Sequence, residues 1–254
     1  MTNPTEQYFH DRDERIRKLM SNQYEHVIIK EDTSTFMNVV HRTNYVKNFT
    51  WLGRPILQLP TDLMALQEII WQVKPDYIIE TGVAFGGLTV FLASMLEAVC
   101  PLSPACVLGI DIEIRNHNKQ EILLHPLWNR IKLIEGSSTA RATAQRVRKL
   151  VADGENILVV LDSDHSHEHV LQELRIYAPL VSMDSYIVVM DTSIEYLDPK
   201  YIPEGKPWGK GNNPLTAVRE FREECDEFIA DLDIEDRILL TSAPYGWLKR
   251  IKEV

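Results

Sequence analysis

Acidic and hydroxyl-bearing residues directly follow short apolar runs at five places along the chain. These polar ends are Glu80-Thr81, Asp111, Glu135 to Ser138, Asp162 to His165, and Asp191-Thr192. Apolar runs of this length are typical of strands that are buried on both faces of a parallel sheet. Parallel strands joined by right-handed crossovers end on one edge of the sheet, where open α/β sheets bind ligands. The sequence therefore predicts a polar small-molecule site at these strand ends.

The first of these ends continues into a glycine-rich turn. The sequence from Tyr77 to Gly87 is Tyr-Ile-Ile-Glu-Thr-Gly-Val-Ala-Phe-Gly-Gly, and apolar residues recur at helical spacing from Leu88 onward. A strand, turn and helix of this kind present backbone N–H groups and a helix N-terminus to a nucleotide-like cofactor. The alternative is a tight turn without a ligand, and this stretch alone leaves both interpretations open.

The spacing of the glycines argues against a dinucleotide. The NAD fingerprint is G-x-G-x-x-G, and Ala84 stands at the position of its second glycine. In the dinucleotide pattern an acid follows the glycines by ~20 residues, and Asp111, which ends the second strand, lies farther along the chain. The acids Glu80 and Asp111 fit S-adenosylmethionine better than a dinucleotide, because S-adenosylmethionine has ribose hydroxyls and positive groups but no phosphate. The expected contacts are Glu80, Thr81, Gly82, Ala84 and Asp111.

The alternation of elements predicts the fold class. Strands are predicted at residues 77–81, 107–111, 131–135, 157–162 and 186–191, with helical segments between them. This order is typical of a Rossmann-like, doubly wound α/β sheet that is mostly parallel. Near the C-terminus, residues 237–241 and 247–251 flank Ala-Pro-Tyr-Gly, which predicts a terminal antiparallel hairpin as in class I methyltransferases. A helix with Thr61 as its N-cap is expected before the first strand.

The first fifty residues differ in character from the rest. Residues 1–50 are polar and are predicted to form a partly helical N-terminal extension, with a short helix from His10 to Met20. Residues 51–254 are predicted to form the methyltransferase domain. One interpretation of this extension is a disordered tail. The alternative is an oligomerisation or lid segment, which the aromatic residues Tyr45, Phe49 and Trp51 support, and we expect a homo-oligomer.

Composition excludes several functional classes. With 27 Lys and Arg against 37 Asp and Glu, the net charge of −10 disfavours nucleic acid and anionic membranes as partners. The three cysteines have no C-x-x-C spacing, so neither a disulfide framework nor a zinc site is expected. No signal peptide or membrane span is apparent, and we expect a cytoplasmic protein.

Methyl transfer from a sulfonium is an in-line displacement, which requires positioning of the acceptor and a group that accepts its proton. The predicted catalytic residues are His165 and Asp162, and Asp162 is also an expected cofactor contact. His165, three residues after Asp162, is the candidate base because a histidine takes up protons near neutral pH. The alternative for His165 is an ordinary residue at a helix N-terminus. His167 and His169 are expected to be solvated, and zinc is not expected because no H-E-x-x-H motif or cysteine partners accompany them.

A long irregular stretch follows the fifth strand. Residues 195–214 contain four prolines and three glycines, and the stretch is too long for an ordinary connection between two elements. We expect a lid over the ligand edge that contacts the substrate through Trp208, Lys210, Asn212 and Asn213. The alternative is an ordered surface excursion.

Six motifs together resemble the family named for cephalosporin hydroxylases and rhamnosyl O-methyltransferases. They are Trp-Leu-Gly-Arg-Pro-Ile at 51–56, Ile-Ile-Glu-Thr-Gly at 78–82, Gly-Ile-Asp-Ile-Glu-Ile-Arg at 109–115, Ile-Glu-Gly-Ser-Ser at 134–138, Leu-Asp-Ser-Asp-His at 161–165 and Trp-Gly-Lys-Gly-Asn-Asn-Pro at 208–214. The resemblance runs from about Trp51 to Ile251. It implies a class I S-adenosylmethionine-dependent methyltransferase fold.

The resemblance also implies site residues. Cofactor contacts would come from Glu80, Gly82, Asp111, Ser137 and Ser138, and Mg²⁺ would lie between Asp162 and Asp191. This chain departs from the family pattern at Phe85 and Leu88, where relatives often carry His and Ser, and at Met190, where they carry an acid. Asp164 or water is the expected replacement for that acid.

These features predict an S-adenosylmethionine-dependent O-methyltransferase that acts, with help from a divalent metal, on a hydroxyl of a sugar or a glycosylated natural-product intermediate. One alternative is the hydroxylase component of a small-molecule pathway, although no 2-His-1-carboxylate pattern for iron is evident. Another is a non-catalytic cofactor-binding protein, which the apolar Met190 favours.

Overall fold

A computed structural model describes residues 4–252, apart from the side chains of residues 23–26 and 30. The strands are β1 Phe49–Trp51, β2 Arg54–Ile56, β3 Tyr77–Thr81, β4 Cys106–Asp111, β5 Ile131–Glu135, β6 Ile157–Leu161, β7 Tyr186–Val189, β8 Phe228–Ala230 and β9 Trp247–Arg250. The α-helices are α1 Pro4–Ser21, α2 Gln23–Thr43, α3 Pro60–Val73, α4 Gly87–Val99, α5 Asn116–Leu123, α6 Arg141–Leu150, α7 His167–Tyr177, α8 Pro214–Glu224 and α9 Leu232–Ile238. Within this described part, no helix is both long and apolar enough to cross a membrane.

Seven strands form one sheet in the order β5-β4-β3-β6-β7-β9-β8. The first five in this order are parallel, and β9 pairs antiparallel with both β7 and β8. The predicted doubly wound α/β fold with a terminal antiparallel pair is therefore confirmed. The chain turns from one half of the sheet to the other between β3 and β6, so the ligand crevice is expected at the carboxyl ends of these two strands.

The sheet is buried on both faces because successive strand residues point into opposite layers. Ile78 packs with α3 and α4, whereas its neighbour Ile79 packs with α7 and α8. Both isoleucines are fully buried. This packing explains why the five central strands contain nearly continuous apolar runs, and it leaves only their ends for polar chemistry.

The terminal antiparallel pair forms from a different segment than predicted. The strand expected at residues 237–241 is wrong, since this stretch comprises the end of α9 and a loop, and β8 at Phe228–Ala230 pairs with β9 instead. Phe228 is buried against Phe221 of α8, which fixes this short strand in the sheet. A three-residue strand gives too little alternation for a sequence pattern to identify.

The start of α3 and the N-terminal extension also differ from expectation. Leu59, not Thr61, is the N-cap of α3, because Pro60 occupies the first helical position. The Thr61 hydroxyl instead donates to the carbonyl oxygen of Leu240. The helices of the extension are longer than the predicted His10 to Met20 helix, since α1 and α2 together run from Pro4 to Thr43. α1 contacts α2 and α9, and α2 contacts the 3-10 helix Pro199–Tyr201.

Gly82 permits a close approach of two strand ends at the crevice. Its φ of +91° lies in the region that favours glycine, and a Cβ at this position would stand 1.9 Å from the carbonyl oxygen of Asp162. The end of β3 therefore packs directly against the end of β6, and this contact fixes the spacing between the glycine turn and Asp162.

We expect Gly82→Ala to lower the free energy of unfolding by about 3 kcal/mol or more, since the added methyl overlaps backbone atoms that have no room to move. Gly205→Ala is the matched control, because Gly205 also has a positive φ of +79° but has nothing within 4 Å of the added Cβ. This control is expected to lose only about 1 kcal/mol. Urea unfolding measures both values, and equal losses would contradict the packing argument.

Candidate active site

Asp111 holds the glycine turn in place. Its Oδ2 accepts hydrogen bonds from the N–H groups of Val83 at 2.9 Å and Ala84 at 3.1 Å, and its Oδ1 accepts one from Glu113 at 3.1 Å. Ala84 has a φ of +45°, which is unusual for a residue with a side chain, and the bond to Asp111 stabilises this conformation. A carboxylate has about four acceptor positions, so Asp111 keeps capacity for a ligand hydroxyl.

A buried arginine fixes the same turn from the opposite side. Arg54 donates through Nε to the carbonyl oxygen of Phe85 at 2.9 Å and through Nη2 to Oδ1 of Asn118 at 3.1 Å. The Asn118 amide in turn donates to the carbonyl oxygen of Ala84 at 3.0 Å, and Glu121 forms an ion pair with Arg54. The motif at 51–56 therefore supports the cofactor loop, a role that sequence reasoning missed because it depends on a contact over about thirty residues.

Glu80 and Thr81 lie beneath the turn rather than at its surface. Both side chains are fully buried, and Glu80 Oε2 accepts a hydrogen bond from the Thr89 hydroxyl at 2.6 Å. Burial raises the pKa of Glu80 to about 8. The predicted direct contact of these two side chains with a cofactor is contradicted by their burial. Glu80 instead ties the start of α4 to β3 through this hydrogen bond.

The two serines after β5 face different ways. Ser137 is half-buried, and its hydroxyl bonds that of Thr139 at 3.0 Å. Ser138 is buried and points beneath the edge, where its Oγ lies 3.1 Å from Nε2 of His169. Of the predicted serine pair, Ser137 therefore lies at the cofactor edge, while Ser138 supports it.

His169 belongs to a polar network between two strand ends. Its Nε2 also contacts Ser163 Oγ at 3.2 Å and Glu173 Oε1 at 3.4 Å, and the Glu173 side chain is fully buried. The hydrogen bond to Glu173 raises the pKa of His169. The expectation that His169 is solvated is wrong, because the first turn of α7 packs its ring under the loop after β6.

His167 is likewise not simply solvated. Its ring nitrogens contact the Thr216 hydroxyl at 2.8 Å and Glu220 Oε2 at 3.1 Å, which joins α7 to α8. Its backbone N–H donates to Oδ1 of Asn212 at 2.9 Å. The predicted lid is therefore attached to the start of α7.

The four predicted lid contacts separate into two groups. Asn213 is fully buried as the N-cap of α8, where its Oδ1 accepts from Leu215 at 2.9 Å and its amide donates to Gly209 at 2.8 Å. Its predicted role in substrate contact is contradicted, because these structural bonds use both ends of the amide. Asn212 donates to the carbonyl oxygen of Pro207 at 2.7 Å, so it too shapes the lid.

Trp208 is the lid residue that lies at the catalytic edge. Its ring stands edge-on to the imidazole of His165, with ring centroids 5.2 Å apart. Lys210 is exposed, and its charge acts on Glu195 rather than on the strand ends. The lid thus contributes an aromatic wall beside His165.

Asp162, His165 and Asp191 form the centre of the edge. Their ligand atoms all lie within 4.8 Å of one another, and His165 Nδ1 is 3.6 Å from Asp191 Oδ2. Burial and the nearby charge of Asp191 raise the pKa of Asp162 well above its usual range. Gln58 donates to Asp162 Oδ2 at 2.7 Å and fixes its orientation. Gln58 was missed by sequence reasoning, since no pattern links it to a residue a hundred positions away.

The cluster suits a hard divalent cation. Carboxylate oxygens are the ligands that Mg²⁺ prefers, and a cation would offset the repulsion between Asp162 and Asp191. The predicted ligand pair is thus brought together. Asp164 does not replace the missing acid as expected, because its Oδ1 accepts from the Ser166 N–H at 2.8 Å and the residue is exposed.

Met190 does not face this cluster. Its side chain is 1% exposed and packs in the core, with Sδ 3.9 Å from the hydroxyl of Ser242. Asp191 has a φ of +57°, so the chain turns sharply after β7 and directs these two neighbours to different sides. An apolar residue at position 190 therefore leaves the cluster intact.

Comparison with known proteins agrees with this geometry. A family model described as Rhamnosyl O-methyltransferase/CmcI matches residues 43–251. The Rhamnosyl O-methyltransferase of Mycobacterium tuberculosis is 31% identical over 208 residues, which cover 79% of this chain and 78% of the relative. The enzyme of the same name from Mycobacterium leprae is 32% identical over 216 residues, 82% of this chain and 86% of the relative.

Solved structures give the same fold. A CmcI structure with Mg and SAM superposes with a TM-score of 0.54 at 16% identity and covers 81% of this chain and 78% of its own. A CmcI apo-structure gives a TM-score of 0.55 at 19% identity, with 81% and 77% covered. Both likenesses support the class I methyltransferase architecture of the sheet.

The buried Glu80 predicts how stability depends on pH. Its pKa is about 8 in the folded chain against 4.5 in the unfolded one, so the folded state binds more protons between these values and stability falls as pH rises through this window. Relative to Glu80→Gln, the wild type is expected to lose about 3 kcal/mol between pH 5.5 and 8.5.

Urea unfolding of the cofactor-free protein at these two pH values measures this difference. Glu113→Gln, at an exposed position on the same edge, is the matched control and is expected to follow the wild type. A constant difference between wild type and Glu80→Gln at both pH values would contradict a buried, titrating carboxyl at this position.

Proposed function

Because the chain belongs to the Rhamnosyl O-methyltransferase/CmcI family, we propose that it transfers the methyl group of S-adenosylmethionine to a hydroxyl of a sugar or a sugar-bearing small molecule. The family and the S-adenosylmethionine-dependent O-methyltransferase class expected from the sequence are thereby confirmed. The observation that supports the proposal most strongly is the Asp162, His165 and Asp191 cluster, which lies on the same sheet edge as the glycine turn.

The residues that remain open at the edge are suited to hold the cofactor. Gly82 and Ala84 bring the backbone to the surface of the turn, and Asp111 and Ser137 close the next two strands. The free acceptor positions of Asp111 suit ribose hydroxyls. S-adenosylmethionine supplies an electrophilic methyl group on a sulfonium.

His165 is placed to accept the proton of the acceptor hydroxyl. The imidazole of His165 would take up the proton that the acceptor hydroxyl loses, while bound S-adenosylmethionine would supply the methyl group and leave as S-adenosylhomocysteine. Asp191, 3.6 Å from Nδ1, stabilises the imidazolium that results. Trp208 beside the ring limits access of water to it.

Asp162 and Asp191 would hold a divalent cation, with Mg²⁺ as the first candidate. Such an ion lowers the pKa of an oxygen that it binds and orients it. The hydrogen bond from Gln58 keeps Asp162 directed into the cluster. We also propose that the protein acts in the cytoplasm as a homo-oligomer, a proposal supported by its three free cysteines and its aromatic N-terminal segment.

The two alternatives have less support. Within the described residues, the cluster combines one histidine with two carboxylates, whereas the iron centre of hydroxylases needs two histidines and one carboxylate. The apolar Met190 favoured a non-catalytic role. Its side chain lies in the core, however, so an apolar residue at this position does not deprive the cluster of a ligand.

We expect His165→Gln to lower kcat for methyl transfer by about 10²- to 10⁴-fold, the usual contribution of a general base, while S-adenosylhomocysteine affinity stays unchanged. His167→Gln is the matched control, since this ring contacts Thr216 and Glu220 on α8 and not the cluster. Methyl transfer to a rhamnoside, followed with radiolabelled cofactor, measures both variants. Equal activity of the two would refute His165 as the base.

Removal of the cation tests the metal assignment separately. Chelation is expected to abolish turnover and added Mg²⁺ to restore it, because a cation held by Asp162 and Asp191 would lower the pKa of the acceptor hydroxyl. Asp191→Asn should weaken Mg²⁺ binding at least tenfold in calorimetry, whereas His165→Gln should retain most of it. Full activity in the presence of chelator would argue against a metal at this site.

A further inference from the structure

Side chains of α7 join two loops of the site that are not neighbours in the sheet. The β5 loop, residues 136–140, follows β5, and the β6 loop, residues 162–166, follows β6. In the sheet, β4 and β3 lie between these two strands. At about 4.8 Å for each step across a sheet, β5 and β6 are about 14 Å apart. A direct link between the two loops therefore needs a third element.

His169, in the first turn of α7, makes this link through one ring nitrogen. Its Nε2 lies 3.1 Å from Oγ of Ser138 on the β5 loop and 3.2 Å from Oγ of Ser163 on the β6 loop. The Ser163 hydroxyl donates its single hydrogen to Oε1 of Glu173 at 2.7 Å, so toward His169 it acts as an acceptor. Nε2 of His169 therefore carries a hydrogen, and this N–H is directed at oxygens from both loops.

Glu173 holds the imidazole in this position. Its Oε1 is 3.4 Å from Nε2 of His169, one turn away on the same helix, and its side chain is fully buried. The second carboxylate oxygen, Oε2, has no hydrogen-bond partner within the part of the chain that the structure describes. Well-packed apolar side chains of similar volume often fill such a space at equal or lower cost in free energy. Stability alone therefore does not explain the charged groups here.

A second bond from α7 reaches the β5 loop. The hydroxyl of Tyr177 donates to the carbonyl oxygen of Ser138 at 2.7 Å, and the Tyr177 side chain is fully buried in the core. Ser138 is thus held through its backbone by Tyr177 and through its side chain by His169. Strand pairing of β5 with β4 ends at Glu135, so Ser138 lies beyond it and depends on these bonds from α7.

Each serine of this link adjoins a residue assigned to the reaction. Ser138 directly follows Ser137, which lies at the cofactor edge. Ser163 directly follows Asp162 and precedes His165 by two residues. The distance between the two serines therefore governs the distance between the cofactor edge and the catalytic cluster. Methyl transfer depends strongly on this distance, because a misplacement of 1 Å can lower the rate of an aligned reaction about 10²-fold.

We propose that His169 and Glu173 are positioning residues that hold the β5 loop and the β6 loop at the distance that aligns the methyl donor with the acceptor. His169 acts through the hydroxyls of Ser138 and Ser163 and takes no part in proton transfer. The proposal rests on the proposed function, because it takes the cofactor to lie at the β5 loop and the acceptor to lie at the β6 loop.

Three substitutions on α7 test this role. His169→Leu keeps an apolar side chain of similar size but removes the N–H, whereas His169→Gln supplies an amide N–H at nearly the reach of Nε2. Glu168→Leu is the matched control, because it introduces leucine one position earlier, where the residue is exposed. The assay measures kcat and KM with a rhamnoside, and calorimetry measures the affinity for S-adenosylhomocysteine.

His169→Leu is expected to lower kcat about 10²-fold, the loss that a misplacement of 1 Å can cause, while KM and the affinity for S-adenosylhomocysteine stay within about threefold of the wild-type values. His169→Gln should recover most of the lost kcat, and Glu168→Leu should match the wild type. An unchanged kcat in His169→Leu, or a loss that His169→Gln does not recover, would overturn the proposal.

A double-mutant cycle tests whether His169 acts through Ser138. Ser138→Ala should cost little further kcat in the His169→Leu background, since the bond that it removes is already absent. Losses of kcat that simply add would contradict the link. If His169→Leu does not fold, Ser138→Ala combined with Ser163→Ala removes both acceptors instead, and it is expected to lower kcat about 10²-fold. A wild-type kcat in that variant would refute the proposal.

A failure of the proposed function gives a different result. If the wild type methylates no rhamnoside, hydrogen exchange tests the link without an acceptor. The backbone N–H groups of Ala140 and Ser166 are hydrogen-bonded within the β5 loop and the β6 loop. Both are expected to exchange about tenfold faster in His169→Leu than in the wild type and Glu168→Leu, since a hydrogen bond in a charged network contributes at least this much. Equal exchange rates in the three proteins would refute the link on its own.

Discussion

Two carboxylates, Asp162 and Asp191, are held close together at neighbouring strand ends, although burial and mutual repulsion disfavour their ionisation together. The rest of the edge is organised around this contact. Gly82 lets β3 approach β6 closely enough to set the position of Asp162, and the left-handed turn after β7 directs Asp191 toward it. A positive charge at this edge would relieve the repulsion.

A set of hydrogen bonds holds the glycine turn at this edge in place. Arg54 and Asn118 bind the carbonyl groups of the glycine turn, and Asp111 binds its N–H groups, so the turn is rigid before a ligand arrives. Such preorganisation matters for methyl transfer, because the donor and acceptor must be aligned and little covalent chemistry is left to the protein.

The sequence predicted the elements that repeat a local pattern. Five buried strands and the acids that follow them were identified because strand periodicity and crossover handedness place them without knowledge of distant contacts. The roles that the sequence did not predict depend on tertiary packing. Gln58 and Arg54 form hydrogen bonds with residues far along the chain, and the Asn213 side chain forms the N-cap of a helix. Met190 was interpreted as a lost ligand, since the sequence does not show on which side of a turn a side chain lies.

The most direct test is a crystal structure of the protein with S-adenosylhomocysteine and Mg²⁺. We predict a cation about 2.1 Å from an oxygen of both Asp162 and Asp191, the usual Mg²⁺ distance, with the cofactor sulfur on the same edge and facing the cluster. A cofactor bound along the glycine turn with its sulfur directed away from His165, or a cation bound elsewhere, would contradict the account.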